Sequence, residues 1–306
     1  MKARKGIMIT VFLLGMIGKT VFAQTIDPAD NNANYQKALS LYQAGSVAEG
    51  IPYLENVLKN NTTIKPAAYD LLGNIYDKLQ QPDKAIAAYN EGIKLDPNYQ
   101  NLRFNLGLAY FRIKKYAEAE KSAIEAIKLD TKHANSQRLY GLVAFHQNKR
   151  VNALLALCSF LLLDPNNAKA TEARTNIQSI LNGGELKAGQ GIPTRDKYAI
   201  ALNTKLNAII AAGKTRKLTS NALLEYQLKS IFTMAGEQAA NKTDKDFYDK
   251  YFAAYFYKLA QSDNMPTFTH LVSISSDKGA DAKGRQDSIQ QVTILNDWVK
   301  TTERVF

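Results

Sequence analysis

The sequence predicts an all-α fold: an array of repeated helical hairpins followed by a second α-helical domain. Three observations carry this. Residues recur at a spacing of 34 through the middle of the chain, apolar residues keep helical spacing in both halves, and no segment sustains strand-like alternation.

The first element reads as a leader. Lys2, Arg4 and Lys5 precede an apolar stretch from Ile7 to Ile17, broken only by Thr10 and Gly15, and Val21-Phe22-Ala23 supplies a cleavage site after Ala23. This is the anatomy of a secretory signal peptide over residues 1–23. An uncleaved anchor is the alternative, but an apolar run of ~11 residues falls short of the ~20 that span a bilayer. No later segment is apolar and long enough to cross a membrane, and no cysteine follows the site closely enough to carry a lipid. The expected location is therefore periplasmic or secreted. The formal net charge is +11; the leader holds four cations and no acid, so eleven falls to seven on its removal. An excess of that size describes a soluble basic protein and does not single out an anionic partner. Cys158 is the only cysteine, so no intramolecular disulfide forms and packing must hold the fold. It lies in the apolar run Leu154 to Leu163, where a buried small hydrophobe is expected rather than a reactive thiol.

The repeat comes next. Gly73, Gly107 and Gly141 are spaced by 34, as are Ala85, Ala119 and Ala153, and Leu95, Leu129 and Leu163, each leucine followed by aspartate. Three ungapped units result, 66–99, 100–133 and 134–167. In the first, Tyr69, Leu72 and Tyr76 form one apolar stripe and Ile86, Tyr89, Ile93 and Leu95 another, with Pro82-Asp83 at the turn and Pro97 stopping the second helix. A glycine inside a helix costs ~1 kcal/mol relative to alanine. Three at one phase imply close helix–helix approach, with the periodic alanines on the other side of the contact. Residues 31–64 align as a degenerate first unit if Gly45 falls in its turn, Ala38 replaces the packing glycine and Lys65 is an extra residue. Ala170, Ala173, Ile177 and Ile180 mark one further amphipathic helix over 168–182, expected to cover the open end of the array.

The run Tyr69-x2-Leu72-Gly73-x2-Tyr76, then Ala85-x3-Tyr89 and Pro97, resembles the tetratricopeptide repeat (TPR) in order and spacing. The later units keep Leu106-Gly107-x2-Tyr110 with Ala119, and Tyr140-Gly141 with Ala153 and Pro165. Departures are Arg103 and Gln137 at the first aromatic position, Ala144 at the later tyrosine position, and Gly92 where alanine is usual. The resemblance covers residues 31–182. It implies a helical-hairpin solenoid whose first helices line a concave surface where proteins dock. On that surface it places Asp70, Asn74, Asp77 and Lys78, then Phe104, Asn105, Leu108, Phe111 and Arg112, then Arg138, Leu142, Phe145 and His146. Exposed apolar groups mixed with a few charges suit a peptide or protein groove. Asn74, Asn105 and Arg138 are of a type that clamps a peptide carboxylate in some members, but Asp70 has the wrong sign and Leu142 replaces a donor.

Gly183, Gly184, Gly189, Gly191 and Pro193 mark a linker over 183–194. Beyond it, residues 195–306 read as an α-helical domain of no family the sequence identifies. One helix runs from Tyr198 and stops near Gly213. A second is capped by Ser220 and stopped at Gly236. A third follows a capping box formed by Thr243 and Asp246. Pro266 opens a short fourth, and Ile289, Val292, Leu295, Trp298 and Val299 mark the last. The third is crowded with aromatics, Phe247 to Tyr257, which read as the core of this domain or, at its edge, as a docking groove.

Catalytic patterns are weak. Ala208-x4-Gly213-Lys214-Thr215 fits only the loosest form of a phosphate-binding loop, because helical spacing runs through it where a strand and loop are needed. His133, His146 and His270 share no metal-ligand spacing, and Lys214, Arg216 and Lys217 form a basic turn too short for nucleic acid. No cofactor is expected. The leading expectation is an exported scaffold, not an enzyme, whose partner is another protein or peptide; the alternative is an enzyme with a site in 195–306 that no motif encodes. N-terminal sequencing of the protein from the cell envelope is expected to read Gln24-Thr25-Ile26, and a chain that still starts at Met1 there contradicts the leader.

Overall fold

The computed structural model describes residues 30–184, 192–273 and 293–306. The leader, most of the glycine-bearing linker and the stripe positions Ile289 and Val292 lie outside the described residues. Every regular element among those described is helical.

Four hairpins come first: α1 (Asn31–Ala44) with α2 (Ile51–Lys59), α3 (Lys65–Lys78) with α4 (Pro82–Leu95), α5 (Gln100–Arg112) with α6 (Tyr116–Leu129), and α7 (Ala134–His146) with α8 (Arg150–Leu163). The packing glycines sit at the hairpin contacts. A Cβ on Gly73 would lie 2.3 Å from the Tyr89 ring, one on Gly141 2.9 Å from Leu157, and one on Gly107 2.9 Å from Leu139 and 3.3 Å from Ser122. Ala85, Ala119 and Ala153 opposite them are fully buried. In the first hairpin the small residues exchange roles: Ala38 occupies the glycine phase, and Gly50 supplies the close approach, its would-be Cβ 3.3 Å from the Ala38 carbonyl.

The turns repeat a feature that residue identity conceals. Gln80, Lys114 and Asn148, each 34 apart, all adopt positive φ, at 57°, 61° and 54°. Each closes a helix end with the next residue's N–H reaching back five positions, Gln81 to the Tyr76 carbonyl, Lys115 to Tyr110 and Lys149 to Ala144. This is the left-handed helix stop that glycine usually fills, and in the first hairpin Gly45 fills it, at φ 87°. Pro82, expected in the turn, is instead the first residue of α4, where its fixed φ suits the helix and its missing N–H costs nothing. Between units, Asp96 and Asp130 leave the helix in extended conformation, each accepting from the N–H two residues on. The periodic leucines are not core residues throughout, since Leu95 is 53% exposed.

Helix α8 differs from the other second helices because it is apolar all round, and residues 150–162 are all buried. A helix of that kind needs cover on every side. Helix α9 (Ala170–Leu181) packs on one flank, as a terminal helix should. The remaining cover comes from α10 (Lys197–Lys214), α11 (Ser220–Ala240), a π-helical turn (Tyr248–Ala253) leading into α12 (Ala254–Ala260), and α13 (Met265–Ser273). A final helix, α14, spans 293–301. One continuous apolar cluster therefore runs from Tyr116 through α8 to Leu295, and the aromatics of the π turn and α12 pack into it rather than into a core of their own.

Three local expectations change in this half. Thr219, not Ser220, caps α11, accepting from the Ala222 N–H. Gly236 does not stop α11; the helix runs through to Ala240, because Gly236 lies against Tyr257, where a Cβ would sit 2.4 Å from the tyrosine Cβ. The capping box is Asp246 with Asp249, whose side chains and N–H groups bond reciprocally at 3.1 and 3.0 Å, three residues after the expected start. The Asp249 carboxylate is fully buried and also accepts from Lys242 at 2.6 Å and the Tyr198 hydroxyl at 3.1 Å, tying α10, the end of α11 and the π turn together. Lys242 further covers the Tyr198 ring at 4.3 Å.

Gly73→Ala is expected to destabilise by about 1–3 kcal/mol through overpacking, because Tyr89 is held by hydrogen bonds to Asn74 and Asp77 and cannot swing away. Gly107→Leu should do likewise. Lys114→Gly should raise stability by up to about 1 kcal/mol by removing a left-handed side chain. Urea melts of the three variants check this, and a loss of stability in Lys114→Gly contradicts the shared turn.

Candidate functional site

Helices α3, α5 and α7 are successive neighbours, so their outward rows form one face. The polar residues predicted for it are largely spent on one another across units. Asn105 donates to Asp70 at 2.8 Å, Arg112 pairs with Asp77, and Arg138 reaches Glu172 at 3.4 Å. Asn74 and Asp77 accept from the Tyr89 hydroxyl at 2.9 and 3.3 Å. The Asn105–Asp70, Arg112–Asp77 and Arg138–Glu172 ties join positions about one repeat apart, so a side chain that looks free within its unit is paired by the next. Burial raises the Asp70 carboxyl against the opposing pull of the Asn105 bond. Burial and the nearby Asp77 and Asp70 charges push the Tyr89 hydroxyl far up, so it stays a neutral donor.

The apolar members divide. Phe104, Leu108, Phe111 and Leu142 are half-buried, each leaving part of its surface open along α5 and α7. Phe104 stands edge-on to His133 at 4.9 Å, and Phe111 edge-on to His146 at 5.1 Å. Phe145, expected to be exposed, is only 8% exposed and belongs to the α8-centred cluster. It shares the phase of Phe111 but is enclosed within that cluster, so it is a packing residue. Among the predicted charges Arg112 stays open, with 54% of its side chain exposed.

Sequence reasoning missed several participants. Tyr116 opens α6, stacks on His146 at 5.2 Å and flanks Phe111 at 5.7 Å, completing an aromatic trio. Its repeat equivalents are Pro82 and Arg150, so no periodic signal marked it. Gln100 donates to Ser136 at 3.0 Å and lies 2.9 Å from the His133 ring nitrogen, a further tie between units. Beside the trio, Glu120 holds Lys149 at 2.7 Å and Gln147 at 3.0 Å. Here the Ile192 N–H donates to the His146 carbonyl, and a cleft of about 540 Å³ opens between Gln147, Lys149 and residues 192–196.

In the second half a cleft of about 620 Å³ lies between α10 and α11, with Ile209, Tyr226 and Met234 among its lining and Lys205, Lys229 and Glu237 at its edge. Among the described residues no three of His, Cys, Asp and Glu gather as a metal site, and no helix is long and apolar enough to cross a membrane. The loose phosphate-loop match is the last turn of α10, with Gly213 buried and Lys214 the final helical residue. A helix C-terminus presents carbonyls, the wrong pole for phosphate. Burial raises the Cys158 thiol far above its usual range, and it is fully enclosed.

Comparison with known proteins bears on the array. A model described as TPR repeat matches residues 73–114, and one described as tetratricopeptide repeat matches 104–168. No curated protein matches the chain. Among solved structures, the first TPR of Spaghetti (RPAP3) bound to an HSP90 peptide is 32% identical, covers 39% of this chain and 95% of its own, and superposes with a TM-score of 0.37. Pseudomonas aeruginosa pilF is 15% identical over 76% of this chain and 96% of its own, at 0.46. A tetratricopeptide repeat protein from Parabacteroides merdae is 12% identical over 86% and 98%, at 0.44. Two repeat models fall on consecutive units, so over residues 73–168 the chain is a tetratricopeptide-repeat protein.

Proposed function

We propose that this protein is an exported scaffold that holds another protein or peptide along the concave face lined by α3, α5 and α7. One observation carries the docking assignment. Phe104, Leu108, Phe111 and Leu142 form a half-buried apolar row, and the polar groups around them are already paired in Asp70–Asn105, Asp77–Arg112 and Arg138–Glu172. Groups paired in this way keep the row rigid, so little ordering cost is left for binding. The apolar row supplies area to a partner, and Arg112 supplies an exposed charge at its edge. The carboxylate clamp is disfavoured further, because Asn105 and Arg138 already have partners in the free protein. The leader over residues 1–23 supports export. The α10–α11 cleft, with two lysines and a glutamate around apolar side chains, does not favour the enzyme reading.

Affinity capture from the cell envelope with the parent and with Leu108→Ala/Leu142→Ala tests the face. Anchor side chains often contribute ~2 kcal/mol each, so the double variant should retain less than about a tenth of the partner while melting within a few degrees of the parent. If it retains the partner fully and Tyr226→Ala loses it, docking belongs to the α10–α11 cleft instead.

A further inference from the structure

The buried polar centre between the last repeat and the aromatic helix holds a guanidinium. Arg304 enters it from the segment after α14, and its Nη1 donates to Gln137 Oε1 at 3.0 Å and to Ser159 Oγ. The guanidinium carbon stands 3.9 Å over the Tyr255 ring and 5.2 Å from the Tyr251 ring. The pocket does not depend on Arg304 for its shape. Gln137 donates to the Thr131 carbonyl at 2.8 Å and to the Tyr251 hydroxyl at 3.0 Å, and Tyr251 donates to the same carbonyl at 3.1 Å. Gln137, Ser159 and Tyr251 are fully buried on three different elements. A donor fork and a ring-facing cation are what these acceptors and π faces select, and a planar guanidinium satisfies both at once.

The segment that fills the pocket is lightly held. Among the described residues no carboxylate pairs with Arg304, and its Nη2 has no hydrogen-bond partner. No backbone group of residues 303–306 is bonded to the rest of the described chain, and the last backbone tie is Thr302 N–H to the Trp298 carbonyl. Val305 is exposed, and Phe306 is 47% exposed while its ring lies 6.0 Å from Tyr251 and 6.4 Å from Phe247. One side chain is therefore inserted and an aromatic two residues on rests at the rim.

We propose that the Gln137–Ser159–Tyr251–Tyr255 pocket is a second docking site, specific for an arginine followed two residues later by an aromatic, and that Arg304 occupies it in cis until a partner segment of that chemistry displaces it. The site is built from Gln137 of α7, Ser159 of α8 and the two tyrosines, uses no residue of the first-helix row, and does not rest on that row being a docking face. Displacement would also move Trp298, the chain's only tryptophan, which packs 5.1 Å from Tyr255.

The probe is a fluorescein-labelled, C-terminally amidated peptide Thr-Glu-Arg-Val-Phe, matching residues 302–306, with a citrulline-for-arginine version as control. Full-length Arg304→Ala is expected to bind the arginine peptide at least about tenfold more tightly than the parent, since the cis competitor is gone, and the citrulline peptide at least about tenfold more weakly than the arginine one. Equal affinity of parent and variant, or of the two peptides, overturns the proposal. If Arg304→Ala does not fold, the parent decides: millimolar arginine peptide should shift Trp298 emission and the citrulline peptide should not, and no difference between them overturns it equally.

Discussion

A helix that is apolar on every face has no stable position at a surface, and α8 is such a helix. Its burial organises everything that follows it. Ordinary second helices in the array, α4 and α6, leave an outer face in water, with Lys94 and Lys128 paired to Glu91 and Glu125 one turn back. At the same phase α8 carries Ser159 and Leu162, both buried. Removing that much apolar surface from water is the dominant stabilising term available. It draws α9, α10, α11, the π turn and α13 around a single axis. The solenoid thus does not end in a polar cap; it ends inside a helical cluster that it shares with the second half of the chain.

The shared core requires a few polar pins at defined points, and these are well satisfied. Asp249 gathers Lys242, Tyr198 and a backbone N–H. Asn203 bonds the Asn148 carbonyl and accepts from the Arg150 N–H, fixing α10 against the α7–α8 turn. Buried polar contacts of this kind add less net stability than specificity, because an alternative packing would leave each of them unpaired. The same logic holds along the first helices, where inter-unit bonds set the register of neighbouring hairpins. The price of that register is that few polar groups remain free to greet a partner, which leaves recognition on that face to apolar shape and to Arg112. Arginine chemistry is concentrated instead where α7, α8 and the aromatic helix meet.

The candidate face illustrates how far a repeat pattern reaches. Phase alone placed Phe104, Leu108, Phe111 and Leu142 on the outer row of the first helices, because a 34-residue period transfers orientation from one unit to the next. Phase did not distinguish Phe145 from Phe111. Both are the third residue before their turn's left-handed position, but Phe145 is buried within the α8 cluster, whereas Phe111 packs against that cluster half-buried, beside Tyr116 and His146. Likewise the period cannot reveal Asp70–Asn105 or Asp77–Arg112, since pairing across units depends on the superhelical offset between them.

From the sequence alone came the all-helical class, the hairpin phase, the packing role of Gly73, Gly107 and Gly141, and the family resemblance. Each is written in local spacing, because helix periodicity and close backbone approach act over one or two turns. The tertiary structure alone decided that Gly236 is a contact rather than a stop, that the aromatic helix shares its core with α8, and that Arg304 lies between two tyrosines and Gln137, the last 167 positions away in the chain. Those outcomes depend on which surfaces remain to be covered once the hairpins have formed, and that is a property of the packed whole, not of any stretch of residues.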